Sequence, residues 1–142
     1  MKSEVYLKLL AFREALFNIP SNEYKFTPFS SFPKGCCEFT SYLLAKYLSE
    51  ELKINDVMLV HGENRYKLSL RHVWLIIDGY NIDLTADQFS STKQTVFCER
   101  NSIWHKRFRI YDSYQPNIKF NHFHEEYSEQ LLSDYRRVVS SL

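Results

Sequence analysis

Apolar residues recur at helical spacing near the start of the chain, at Val5, Leu9, Leu10, Phe12, Leu16 and Phe17. They predict an amphipathic helix over residues 4–17, with the Ser3 hydroxyl placed to accept from the orphan amides of its first turn. Pro20, Pro28 and Pro33, with Ser30, Ser31 and Gly35, then break the pattern and predict an irregular arm over 18–35. From Cys37 to Leu52 the helical period returns through Phe39, Leu43, Leu44, Tyr47, Leu48 and Leu52, and predicts a second, mostly buried helix. Val57–Val60 reads as a short strand. Val73–Ile77 and Tyr80–Leu84 flank Asp78-Gly79, the pair that suits a two-residue hairpin turn. Residues 94–98 and 106–111 carry shorter strand patterns, and Glu125–Val139 is helical again through Tyr127, Leu131, Leu132, Tyr135, Val138 and Val139. The order α, arm, α, several β, α predicts an α+β domain with helices packed on an antiparallel sheet.

Composition narrows the classes. A chain of 142 residues suits one domain over 1–142, and 44% hydrophobic with 16% aromatic residues excludes general disorder. Eighteen Lys+Arg against 17 Asp+Glu leave a formal charge of +1, so no overall basic field gathers nucleic acid and none is expected as a partner. Glu4, Lys8, Arg13 and Glu14 interrupt any signal-peptide core. The longest wholly apolar run, Val73–Ile77, is far below the roughly 20 residues of a membrane-spanning helix, so no membrane partner is expected. Three cysteines without disulfide-like spacing predict free thiols and a reducing, cytoplasmic setting.

The candidate chemistry starts at Pro33-Lys-Gly-Cys-Cys37, where the thiols open a predicted helix. A thiol there faces the positive end of the macrodipole and unpaired amides, which favour thiolate and can receive an oxyanion. With Asp78-Gly79 at the centre of the turn, Ile77 opposes Tyr80, Trp74 opposes Asp83 and His72 opposes Thr85. Val73, Leu75, Ile77, Tyr80, Ile82 and Leu84 then share one apolar face. His72, Trp74, Ile76, Asn81, Asp83 and Thr85 share the other, which is expected to pack against the helix start. His72 and Asp83 are diagonal neighbours there, so the aspartate can orient the imidazole and stabilise imidazolium.

Cys36 competes with Cys37 as the nucleophile, since adjacent helical side chains diverge by about 100° and only one can face His72. Cys98 reads as packing. His122-x-His124 has metal-ligand character, but no second pair stands at ligand spacing, so neither a metal nor another cofactor is expected. Trp104-His105 with Lys106 and Arg107 reads as a solvated basic-aromatic edge. His61, before Gly62, reads as a strand end, structural or at the rim of a cleft. Residues 90–124 offer no recognisable chemistry.

Cysteine on a helix N-terminus, histidine on a strand and aspartate on the next strand is the order of papain-like enzymes. In Gly35-Cys36-Cys37-Glu38-Phe39-Thr40-Ser41-Tyr42-Leu43-Leu44, His72-Val73-Trp74-Leu75 and Asp83-Leu84-Thr85, the chain resembles the transglutaminase-like branch of the papain-fold superfamily. Its core, over about residues 33–89, is similar to that of bacterial lasso-peptide leader peptidases. The resemblance implies a papain-like domain with the nucleophile helix on a small antiparallel sheet, and a Cys37–His72–Asp83 triad. It also implies thiol-dependent acyl transfer, foremost hydrolysis of a peptide or isopeptide amide in a peptide or protein substrate. Amidase, deamidase or transglutaminase activity stands behind that, and the rival class is an inactive papain-like fold serving as a binding or immunity module. Trp74, Gln88 and Cys36 are the expected substrate contacts. Ser31 stands where papain has its oxyanion glutamine, so that donor is not carried over, and calcium activation is not expected without an acidic cluster.

Overall fold

A computed structural model describes residues 3–142. Three helices, α1 (Ser3–Asn18), α2 (Cys37–Glu50) and α3 (Glu125–Ser140), accompany five strands: β1 (Met58–Asn64), β2 (Arg71–Ile77), β3 (Tyr80–Asp83), β4 (Phe97–Glu99) and β5 (Phe108–Tyr114). The strands form one antiparallel sheet in the order β4-β3-β2-β1-β5. The α+β class follows from these elements. No helix among the described residues is long and apolar enough to cross a membrane.

The β2–β3 hairpin sets the register on which the site depends. Asp78 and Gly79 both take positive φ, 48° and 78°, the backbone a tight two-residue turn requires and a reason for glycine at the second position. Ile77 pairs with Tyr80, Ile76 with Asn81 and Leu75 with Ile82, the register expected from the sequence. Alternation then sends Val73, Leu75, Ile77, Ile82 and Leu84 into the core shared with α1, α2 and α3. Trp74 joins a separate cluster with Val60, Ala86, Phe97, Trp104 and Phe108 on the opposite face.

Several expectations need correction. Strand β1 does not stop at His61: it continues to Asn64 because β2 and β5 pair with it on both sides, with an irregular register at His61/Gly62. Gly62 lies opposite His72, where a Cβ would come within 2.8 Å of the Trp74 ring and 2.9 Å of Phe108 Cβ. The glycine therefore makes room for the indole beside the imidazole. Strand β4 runs over Phe97–Glu99 and β5 over Phe108–Tyr114, both shifted towards the C-terminus relative to their sequence patterns. On α1 the buried stripe is Leu9, Phe12, Arg13, Ala15 and Leu16, while Leu10 and Phe17 are exposed; Ser3 is itself helical rather than a cap.

Arg13 is buried because it has partners. Its guanidinium donates to both Asp87 carboxylate oxygens, at 2.9 and 3.0 Å, and to the Leu84 carbonyl. This bidentate pair ties α1 to the segment after β3 that carries Thr85 and Gln88. In the irregular arm, the Asp134 carboxylate of α3 accepts from the Lys25 and Phe26 amides, each at 2.8 Å, which fixes the approach to α2.

Candidate active site

Helix α2 begins at Cys37, with Cys36 in the cap position and no side chain capping the first turn. The two thiols diverge as helical geometry demands. Cys36 turns inward, 1% exposed, against the Thr40 hydroxyl at 3.5 Å, and burial pushes its thiol up to about 11 despite that hydrogen bond. Cys37 is half-buried and close enough to His72 to help raise the imidazole's pKa, behind Asp83.

His72, the second residue of β2, is wholly buried. Its Nε2 lies 2.7 Å from Asp83 Oδ2, so Nδ1 is the ring nitrogen left for the thiol. Burial alone would pull the imidazole pKa down. The Asp83 charge and hydrogen bond, followed by Cys37, outweigh burial and raise it to about 9. Asp83 shows the complementary balance: burial favours its neutral form, but His72 and His105 hold the carboxyl well below the usual range.

The carboxylate is saturated with donors. Oδ1 accepts from the Thr85 amide at 2.9 Å and its hydroxyl at 3.4 Å, while Oδ2 also meets His105 Nε2 at 2.6 Å. His105 Nδ1 in turn lies 2.5 Å from the Ser102 hydroxyl, which also accepts from the His105 amide at 3.2 Å. A continuous polar chain therefore runs Ser102–His105–Asp83–His72, with Cys37 beyond the imidazole. Aromatic rings wall it off from water: Trp74 stacks on His72 at 5.6 Å, and Phe89 and Trp104 meet the imidazole edge-on at 5.2 and 5.6 Å.

Gln88 reaches this centre from the turn after β3, its amide nitrogen 3.4 Å from His72 Nδ1 and 3.1 Å from the Thr85 carbonyl. It can donate to a neutral Nδ1. Once Nδ1 carries a proton, Gln88 must release it or turn its oxygen inward.

The placement of the expected residues divides. Cys37, His72, Asp83 and Gln88 come together. Trp74 is 1% exposed and donates its indole N–H to Asn81 at 2.9 Å, so it backs the imidazole and has no surface for a substrate. Cys36 is likewise sealed in the core and is corrected on the same ground. The meeting of thiol and imidazole also differs from expectation: the body of α2 lies on the Val73–Leu75 face, and His72 belongs to the other. Cys37 opens α2 and His72 is the second residue of β2, so the two residues stand at the starts of their elements.

His105 and Ser102 were missed. The Trp104–His105 pair is no solvated edge, being 7% and 4% exposed, and the segment beyond residue 90 supplies part of the polar chain. The available signal was the aromatic density of Phe97, Trp104 and Phe108, which needs a core around His105. His61 sits at the rim, its Nε2 3.0 Å from the Tyr114 hydroxyl and 3.6 Å from the carboxylate of Glu38, the residue after Cys37. His122 meets the Tyr42 hydroxyl at 3.2 Å and His124 caps α3 by accepting from the Glu126 amide, so the pair serves two separate tasks.

His72, Asp83 and His105 are also the described residues whose ligand atoms cluster closely enough, within 4.8 Å, for a metal. Their geometry is that of direct hydrogen bonds. Both imidazoles contact the same carboxylate oxygen, and an ion bound at about 2.0–2.1 Å from each ligand would have to push them apart against the aromatic wall. No family model, no curated protein and no solved structure matches this chain.

Proposed function

We propose that the protein is a thiol-dependent acyl-transfer enzyme of papain-like, transglutaminase-like architecture, in which Cys37 attacks an amide carbonyl of a peptide or isopeptide bond. The observation that carries this reading is the buried His72–Asp83 hydrogen bond, 2.7 Å from Nε2 to Oδ2, with Cys37 near enough to help raise the imidazole's pKa.

His72 Nδ1 takes the thiol proton, and Asp83 stabilises the resulting imidazolium through Nε2. The thiolate adds to the carbonyl carbon, and the Cys37 backbone amide, in the uncapped first turn of α2, donates to the developing oxyanion. Collapse breaks the C–N bond as Nδ1–H protonates the leaving amine, giving a thioester. Water, deprotonated by His72, then attacks the thioester and restores the thiol. An amine in place of water would give acyl transfer by the same route. Cys36 and Cys37, neither in a disulfide, accord with a reducing, cytoplasmic setting in which such a thiol persists.

The test is iodoacetamide labelling across pH, with peptide mapping, followed by mass-spectrometric trapping of a thioester on peptide and isopeptide electrophile libraries. Fast labelling at Cys37 below neutral pH and a mass adduct at that residue support the enzyme. Labelling no faster than at Cys98, with no adduct, gives the fold to a binding or immunity role instead.

A further inference from the structure

Two stretches of the chain concentrate positive charge. Arg65, Lys67 and Arg71 lie within residues 64–71, and Lys106, Arg107 and Arg109 within 101–109, so six of the 18 Lys and Arg fall there with none of the 17 Asp and Glu. In a chain of formal charge +1, this leaves the rest net acidic. The fold brings both stretches to one end of the sheet, where β1 leads into β2 and β5 begins. Asn64 pairs with Phe108, the Arg65 amide donates to the Arg107 carbonyl at 2.8 Å, and Arg65 Nε donates to the Lys106 carbonyl at 3.0 Å. Glu63 is shared between Arg71 and Arg109, at 3.9 and 3.0 Å, and the other four cations have no acidic partner among the described residues. The result is a local positive field.

The same end displays large apolar side chains that the core does not use. Tyr66 is 88% exposed, Leu68 64% and Ile103 82%. The loop carrying the first two is held in shape: the buried Asn64 side chain accepts from the Tyr66 and Lys67 amides at 2.9 and 3.1 Å, and the Leu70 amide donates to the Lys67 carbonyl at 2.9 Å. Apolar groups on a fixed backbone lose little freedom on meeting a partner. Interleaved with charges of one sign, they select a partner that is both apolar and acidic.

We propose that this end of the sheet docks an acidic polypeptide segment carrying apolar side chains, on the same molecule as the amide that Cys37 attacks; the inference rests on the acyl-transfer reading of that thiol. Continuity with the site favours a polypeptide. Arg71 is the residue before His72, and its guanidinium lies 5.4 Å from the Tyr111 ring centroid. That ring is 6.1 Å from His61, whose Nε2 is 3.6 Å from the carboxylate of Glu38, the neighbour of the thiol. Arg71 and Arg109 stand opposite Glu63 in the ladder, one position from the Gly62–His72 pair, and so on the inner side of the sheet. Arg65 and Lys106 stand on the outer side, beside Phe108. A flexible chain can touch both sides and still reach the thiol, whereas a planar lipid surface or a stiff duplex cannot.

The experiment is fluorescence anisotropy on the intact protein with a labelled peptide of Glu, Leu and Phe, its charge-reversed form with Lys for Glu, and a form with Ser for Leu and Phe. Phosphatidylglycerol vesicles and a DNA duplex serve as the competing anionic partners. The acidic apolar peptide should bind saturably, about tenfold or more tightly than the charge-reversed one and more tightly than the Ser form. Lys67→Glu/Lys106→Glu should weaken it by about tenfold or more, since attraction becomes repulsion. Lys8→Glu/Lys119→Glu makes the same change in net charge away from this end and should bind as the wild type does. All four lysines are exposed, and circular dichroism should show both double variants melting with the wild type. A chloromethyl ketone carried on the acidic peptide should label Cys37 about tenfold or more faster than one on the charge-reversed peptide. Equal affinity for the three peptides, equal weakening in the two double variants, equal labelling rates, or tighter binding to vesicles or duplex than to the acidic peptide would overturn the proposal. Iodoacetamide labelling run in parallel separates the two failures: slow labelling at Cys37 with charge-selective peptide binding rejects the acyl-transfer reading, and fast labelling without charge-selective binding rejects the docking surface alone.

Discussion

The two faces of the sheet are built on different principles. The inner face, covered by three helices, is almost wholly aliphatic and aromatic: Leu59, Val73, Leu75, Ile77 and Ile82 meet Leu9, Phe12, Leu43, Leu44, Leu48, Leu131 and Val138. The outer face is covered by the chain between β3 and β5. It buries Asp83, His72, His105, Ser102 and Thr85 among a few aromatics. Area removed from water holds the first face together and tolerates changes of shape better than changes of volume. The second is stable only if every polar group keeps its partner, because an unpaired buried charge is costly. Stability should therefore reside mainly on one side and chemistry on the other.

The comparison is broken most severely by changing the reacting groups. Cys37→Ala should abolish labelling and thioester formation at that position, while Cys36→Ala should retain most of both. Asp83→Asn should lower acylation by a factor on the order of 10⁴, as the loss of an orienting aspartate does in serine proteases, with the fold intact by circular dichroism. Activity in Cys37→Ala and none in Cys36→Ala would move the nucleophile by one residue.

The inner face should respond in the opposite way. Leu75→Ala, at a wholly buried position, should cost about 2–5 kcal/mol in urea unfolding while the labelling rate of the folded fraction stays near wild type. Arg13→Met leaves the part-buried Asp87 without its bidentate partner and should cost about 3 kcal/mol. It should also slow labelling, because Asp87 anchors the turn that presents Gln88. A fast, weakly stable Arg13→Met protein would show that this turn holds its place without α1.

The two faces were also unequally legible in the sequence. Period-3.6 and period-2 patterns locate the inner face because a residue's neighbours there follow from its own element, as with Leu43 and Leu44 on α2 or Val73 and Leu75 on β2. The hairpin extended that legibility to His72 and Asp83, since Asp78-Gly79 fixes the register and with it the shared face. Beyond the hairpin the local rules fail. His105 lies in a short 3₁₀ turn, where no alternation assigns a face, and its burial depends on Trp74 of β2 and Phe97 of β4 closing over it. Leu10 and Phe17 fail in the other direction: they match the helical period of α1 but lie outside it, while Arg13 takes an inward position because Asp87 awaits it.

A finer test separates His105 from the triad. His105→Ala removes one donor from the buried Asp83 while Thr85 and His72 keep theirs. A hydrogen bond to a charged group is worth about 1.5–3 kcal/mol, so acylation should fall by about tenfold or more. A purely structural role would lower stability and leave the pH profile of labelling where it was. A positioning role should move that profile, because His72 would then be the one imidazole paired with Asp83.

The smallest expected effect lies in how each face responds to pH. His72 has its folded pKa raised from 6.5 to about 9, so the stability contributed by its protonated, Asp83-paired form is fully present below 6.5 and is lost as pH rises through about 9. Asp83 works in the reverse direction at the acid end: its folded pKa is lowered from 3.8, so its contribution is present above 3.8 and disappears as pH falls through the lower folded value. Unfolding free energies from urea titrations should therefore decline for the wild type between pH 6.5 and 9 more steeply than for Asp83→Asn, which lacks the charge that raises His72. Leu75→Ala leaves the outer network whole and should run parallel to the wild type at a lower level. Parallel curves for the wild type and Asp83→Asn would mean that the His72–Asp83 bond carries no differential charge between folded and unfolded states, and the contrast between an apolar and an electrostatically poised face would fail at its centre.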